Sequence, residues 1–186
     1  MYAIVENNEI TKLITNPKSL VIGDVRYPAK IFSLWSKSEL NNIGIYEVIT
    51  DSSNFKDEKW YVNTNQSYTF SDNQVTRSWG AATPKEHADT EVGEGLKTML
   101  IKNLKEKVAV ELSKTDWYII RNTEKSIAIP SAISTHRDAV RTKQAEMETA
   151  ITNASDTPAL ETLYTYAEQD DGSVTRPLGE LPTLEN

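Results

Sequence analysis

The chain has 186 residues, 38% apolar and 25% charged, enough for one large domain or two small ones with a real core. Its 20 basic and 27 acidic residues give a net charge of −7, which argues against bulk binding to nucleic acid. It has no cysteine, which excludes disulfides, zinc–thiolate sites and thiol catalysis.

The chain opens with "MYAIVENNEITKLI", which lacks the basic start and long apolar run of a signal peptide. No apolar stretch approaches the ~20 residues needed to span a bilayer. The expectation is a protein made and kept in a cytoplasm, with no membrane partner. The same segment holds two β-prone runs around Asn7 and Asn8, and Asn tolerates positive φ, so a tight hairpin is predicted. In "FSLWSKSELNNIGIYEVI", Ser36 and Glu39 form a capping-box pattern, Leu40 and Ile43 supply an apolar face, and Gly44 suits a left-handed stop. One short helix followed by a strand from Ile45 is expected.

"KWYVNTNQSYTFSDNQVTRSW" supplies three further alternating runs separated by turn-forming residues, read as a meander of short antiparallel strands. Thr83, Pro84 and Glu86 then resemble a helix start, and Gly93 and Gly95 suggest a linker. Beyond it the chain becomes helical. Leu96, Leu100, Leu104, Val108 and Leu112 recur every fourth residue, and no proline interrupts the run before Pro130, so one helix is predicted to continue to about residue 121. A return helix starts at Pro130, with Ile133, His136, Val140, Met147 and Ile151 inward. A third, shorter helix follows Thr157 and Pro158. The remaining "DDGSVTRPLGELPTLEN" reads as an extended tail.

The expected fold class is therefore α+β. A β-rich part with one short helix spans residues 1–82, a linker or helix start 83–95, a helical hairpin with a third helix 96–167, and a tail 168–186.

The residues that carry chemistry elsewhere are poorly arranged here. His87 and His136 form no metal-ligand spacing, and no metal or other cofactor is expected. The acid pairs Asp57–Glu58 and Asp170–Asp171 lie beside turn formers, where solvated charge is the plainer reading than a hydrolytic pair. "EVGEG" lacks the lysine and spacing of a phosphate loop, and no hydrolase or kinase signature occurs. The chain reads as a non-enzyme. Trp35, Trp60 and Trp79 are candidate ligand-surface aromatics for sugar stacking, against the plainer reading of sheet core.

The stretch "TDWYIIRNTEKSIAIPSAISTHRDAVR" is read as the bend of a helical hairpin. Arg121, four residues after Trp117, is placed to lie across its ring. Pro130 fixes the start of the return helix. Arg137 and Arg141 are expected to face acids such as Asp116 or Glu124, and Trp117 is expected to be buried scaffold.

The arrangement "L…TDWYIIR…IP…HRDAVR" resembles a segment of small tailed-bacteriophage proteins encoded beside tail-fibre genes, described as fibre assembly proteins, tail assembly chaperones or minor tail proteins. Those proteins carry a leucine-bearing helix, an "[ST]DW" element, a proline and a "YR..[LIV]R" helix. Thr115, Asp116 and Trp117 match the first element, Pro130 the second, and Arg137 and Arg141 the last, with His136 in place of the usual tyrosine. The start "MYAIVENNEI" also looks like the short β opening of such proteins. The resemblance covers about a third of the chain. It implies a non-enzymatic protein acting on other tail or fibre proteins, first in the host cytoplasm and then in the virion tail, while the acidic charge leads to the expectation of no nucleic-acid partner. The leading expectation is a tail-associated structural protein. A fibre assembly chaperone and a carbohydrate-binding receptor module are the alternatives. The broad leucine stripe, flanked by Met99 and Ile101, further suggests a homo-oligomer.

Overall fold

The structure is a computed structural model, and it describes residues 1–184. The chain divides into two compact units, Met1–Thr83 and the residues from Pro84 onward. The first is an antiparallel-rich β unit and the second is helical, giving the α+β class.

In the first unit β1 (Tyr2–Glu6) and β2 (Glu9–Ile14) form the expected hairpin, with Asn7 and Asn8 at φ 54° and 66°. Both central residues of the turn have positive φ, the twist a two-residue hairpin needs. A second hairpin, β3 (Leu20–Ile22) and β4 (Val25–Tyr27), follows. Two short helices come next, α1 (Ile31–Leu34) and α2 (Lys37–Asn42), where one was expected. The capping box on α2 is complete: Glu39 N–H donates to Ser36 Oγ at 3.3 Å, and Ser36 N–H donates to Glu39 Oε2 at 2.7 Å. Gly44 ends the turn at φ 78°, and a Cβ there would lie 2.8 Å from Val5 O, so the strand crosses where only glycine fits.

Strand β5 (Ile45–Thr50) pairs antiparallel with β1. After the two-residue β6 (Tyr61–Val62), β7 (Ser67–Ser71) and β8 (Gln74–Ser78) form a hairpin turned at Asp72 and Asn73, both at positive φ. The expected all-antiparallel meander is corrected at one point: β8 joins the sheet parallel to β5, with Val48 opposite Val75. The sheet order is β2-β1-β5-β8-β7. The connection through residues 51–73 is long enough for a parallel crossover, which two-residue turns cannot make.

The sheet is buried on both faces at its centre. Ile4 and Ile45 pack with Ile14, Leu20, Ile31 and Leu40, the cluster that α1, α2 and β3 cover. Ala3 and Val5, on the opposite face of β1, pack with Val75, Ile10 and Phe70. The outer strands β2 and β7 approach each other around Ile10 and Phe70, so the sheet curls over this second cluster.

The helix expected from Thr83 is not formed. β9 (Thr83–Pro84) is extended, and residues 85–95 are irregular. Asp89 organises that loop: its Oδ1 accepts from Gly95 N–H at 2.7 Å and its Oδ2 from Thr98 Oγ1 at 2.9 Å. The helix start therefore moves to α3 (Leu96–Ser113), whose first N–H groups, of Leu96 and Lys97, donate to Glu86 O and His87 O at 3.0 Å, so the local pattern at Thr83 caps nothing. The fourfold stripe is the buried face: Leu96, Leu100, Leu104 and Val108 all lie inside.

The single long helix to residue 121 is also corrected. α3 stops at Ser113, and α4 (Asp116–Lys125) follows after a break at Lys114 and Thr115. α5 (Ser131–Asn153) begins after Pro130 as expected and returns antiparallel to α3, with Lys97 Nζ on Thr152 O at 2.8 Å near one end and Arg137 on Leu112 O near the other. α5 covers Leu96, Leu100, Leu104 and Val108 within the chain, while the flanking Met99 stays exposed. α6 (Thr157–Tyr164) is capped by Asp156 and tied to the loop by Thr157 Oγ1 donating to Lys85 O. The tail is extended but anchored. β10 (Ala167–Glu168) and β11 (Val174–Thr175) form a small hairpin, and Leu178 is buried with its N–H on Leu163 O at 3.0 Å.

Candidate protein-interaction site

The site builds from the break between α3 and α4. A helix end leaves carbonyls without partners, and one of them, Leu112 O, is met by Arg137 Nη1 at 2.8 Å. The same nitrogen donates to Thr115 Oγ1 at 2.7 Å and to Asp116 Oδ1 at 2.9 Å. Arg137 is only 8% exposed, and Thr115 is buried beside it. Thr115 Oγ1 in turn donates to Leu112 O at 3.0 Å. A buried guanidinium thus holds the end of one helix and the start of the next. The acidic Asp116 also sits in the first turn of α4, where the helix dipole favours it.

One residue before Leu112 on α3 and one before Arg137 on α5 lies a second polar contact. Glu111 Oε2 accepts from Lys114 Nζ, and Glu111 Oε1 lies 3.3 Å from His136 Nε2. The histidine approach is off the line of a good hydrogen bond, so it is a charge contact when the imidazole is protonated. The bonded Lys114 ammonium holds the Glu111 carboxyl below its ordinary value, against the opposing effect of burial.

α4 is fastened at both ends and buries none of its residues. At its far end Ser126 takes the left-handed conformation with its N–H on Asn122 O, and Asn122 Nδ2 donates to Ile127 O at 2.9 Å. Between these ends, Trp117 is 49% exposed and Ile120 56% exposed. Spacing of three and four residues puts Trp117, Ile120, Arg121 and Glu124 on one face. Ile119 and Ile127 are exposed as well. Arg121 Cζ lies 4.6 Å from the Trp117 ring centre and 5.3 Å from that of Tyr118, and the two rings are 3.9 Å apart. The stack of Arg121 on Trp117 is as expected from the sequence.

The expectation of a buried Trp117 is overturned. The ring stands in the first turn of a helix that buries none of its residues, and Arg121 with Tyr118 covers only part of it. Arg137 meets Asp116 as expected, but Arg141 does not reach Asp116 or Glu124. It is exposed and pairs with Asp138 on its own helix at 3.3 Å. Pro130 serves as the N-cap residue of α5 and is exposed. His136 lies inward on α5 as expected, whereas the role of Thr115 as a buried polar group at the break was not read from the sequence. The signal was there in part, because a threonine before an aspartate breaks an apolar stripe.

The three other tryptophans differ in exposure: Trp60 is buried, and Trp35 and Trp79 are half-buried. Trp60 is 3% exposed, which removes it as a sugar-stacking face. Trp35 packs edge-on against Tyr27, and Trp79 against Phe55 with Arg77 over its ring. The acid pairs do turn work: Asp57 Oδ1 accepts from Lys59 N–H, and Asp171 Oδ1 from Ser173 N–H. Among the described residues no group of three or more His, Cys, Asp or Glu side chains could hold a metal ion, and no helix is long and apolar enough to cross a membrane.

Comparison of the chain with protein-family models, curated proteins and solved structures finds no match.

Proposed function

We propose that this protein is a structural component of a bacteriophage tail, a tail-fibre or baseplate accessory that works through protein–protein contacts made by α4. The observation that carries the reading is the exposed Trp117–Ile120 face on a helix fixed at both ends. Aromatic and arginine side chains are the residues that dominate binding energy at protein interfaces, and here Trp117, Tyr118 and Arg121 lie stacked together. A face already ordered loses little side-chain entropy when a partner covers it. The resemblance around "TDW" supplies the class of partner, a neighbouring tail or fibre protein. On this reading the chain acts in the host cytoplasm during assembly and in the virion afterwards.

The test has two parts. Mass spectrometry of purified virions detects the chain, and the paired substitution Trp117→Ala with Ile120→Ala abolishes its co-purification with the tail or fibre neighbour while leaving the melting temperature within a few degrees. A chain absent from virions that still binds the fibre replaces this reading with assembly chaperoning. A double variant that binds as wild type removes α4 from the account.

A further inference from the structure

The first unit holds a cleft of about 570 Å³ between the C-terminal half of β2 and the β3–β4 hairpin. That volume is within the range of ligand sites. Its lining includes Lys12, Lys18 and Arg26 and no carboxylate, in a chain of net charge −7. Three more polar side chains, Thr15, Asn16 and Ser19, complete the polar wall. Among the described residues, none of these six side chains is engaged in a hydrogen bond or ion pair. Three cations gathered without a counter-charge repel one another, and an anion between them relieves that repulsion.

Two further features narrow the chemistry. Leu13 and Val21 also line the cleft and are exposed, so the ligand presents an apolar group beside its charge. β2 is an outer strand paired only with β1, and its Lys12–Ile14 stretch forms one wall. An extended chain can add to such an edge, with main-chain bonds for affinity and alternate side chains for selectivity. A long polyanion such as nucleic acid fits poorly, because the rest of the protein is acidic.

We propose that the cleft between β2 and the β3–β4 hairpin is a docking site for an extended acidic peptide of a partner protein. Its carboxylates are held by Lys12, Lys18 and Arg26, and an apolar side chain between them rests on Leu13 and Val21. This site is independent of α4.

The experiment titrates the full-length protein with a synthetic peptide of alternating Glu and Leu, followed by amide chemical shifts. Shifts confined to residues 12–26, weakened as ionic strength rises, are expected. The double variant Lys18→Glu with Arg26→Glu lowers affinity by at least about tenfold. Lys18→Gln with Arg26→Gln gives a smaller loss and serves if the reversal perturbs folding. Trp117→Ala binds the peptide as wild type, which separates this site from the α4 face. The proposal is overturned if a control peptide with every Glu replaced by Gln binds equally well, if inorganic phosphate or anionic lipid vesicles give the same shifts at the same concentration, or if both cation variants bind as wild type.

Discussion

Arg137→Ala removes a group that joins α3, α4 and α5. The guanidinium serves two buried acceptors, Leu112 O and Thr115 Oγ1, and one carboxylate, Asp116, whose side chain is 53% exposed. A hydrogen bond to a charged group is worth roughly 1.5–3 kcal/mol when buried, and the exposed pair adds about 0–1. Leu112 O keeps its bonds from Thr115 N–H and Oγ1, so the loss falls short of the full sum. The expected destabilisation is about 3–4 kcal/mol. For a unit of this size each kcal/mol lowers the midpoint by about 4–8 °C, so a fall of at least ~12 °C is expected in the helical transition. Hydrogen exchange read by mass spectrometry adds a local test, because amides of residues 114–125 should lose protection before those of α3. Arg137→Lys supplies three donors one bond short of the same place, so it should recover part of the loss. A variant that melts within about 3 °C of wild type, with unchanged exchange in α4, would refute the assignment of Arg137 as the fastening of that helix.

Four other outcomes follow from the same fold. Gly95→Ala places a Cβ 2.3 Å from the backbone of Ala88, and the resulting shift of the 88–95 loop should cost roughly 1–3 kcal/mol in thermal melts. Leu178→Ala should cost about 2–4 kcal/mol and expose residues 167–184 to limited proteolysis, since Leu178 anchors the tail. Because the Glu111 carboxyl is held below its ordinary 4.5, its contribution is full above that pH and is lost as pH falls through the lowered value. Glu111→Gln should therefore flatten the acid side of the stability curve below about pH 4.5, measured by melting temperature across pH. Trp117→Ala alone should leave the melting temperature within a few degrees, because half the ring is already in water.

What could be read from the sequence was local. The Asn7–Asn8 turn, the Ser36–Glu39 box, the stop at Gly44 and the fourfold leucine stripe each depend on residues within one or two turns of each other. The misses share a different origin. Strand β8 pairs parallel with β5 across more than twenty residues, and nothing in the alternation of either run encodes which neighbour it meets. The apparent helix start at Thr83 loses to Asp89, whose acceptors reach Gly95 and Thr98 instead. The break after Ser113 depends on Arg137, which lies beyond the next helix in sequence. Its spacing from Thr115 has no local signature. Trp117 was misread for a simpler reason. Tryptophan is buried on average, and no neighbour of Trp117 in the sequence signals that its ring lies half in water.

That last point bears on why α4 exists as a separate helix. Ten residues form a marginal helix in water, and ordinary short helices gain their stability by burying an apolar face. α4 buries no residue. Its support is instead at its ends: Arg137 and Thr115 at the start, Asn122 and Ser126 at the finish. Had the helix of α3 simply continued, residues 117 and 120 would have projected on the axis of α3 without this independent fixing. The break sets their direction, and the buried arginine keeps it. An exposed aromatic face whose stability is supplied from elsewhere can be changed without unfolding the protein, and it stays available for another chain. Docking on α4 and the integrity of the helical unit should therefore separate cleanly by mutation: changes at Trp117 and Ile120 act on binding alone, while changes at Arg137 act on both, because they release the helix that carries the face.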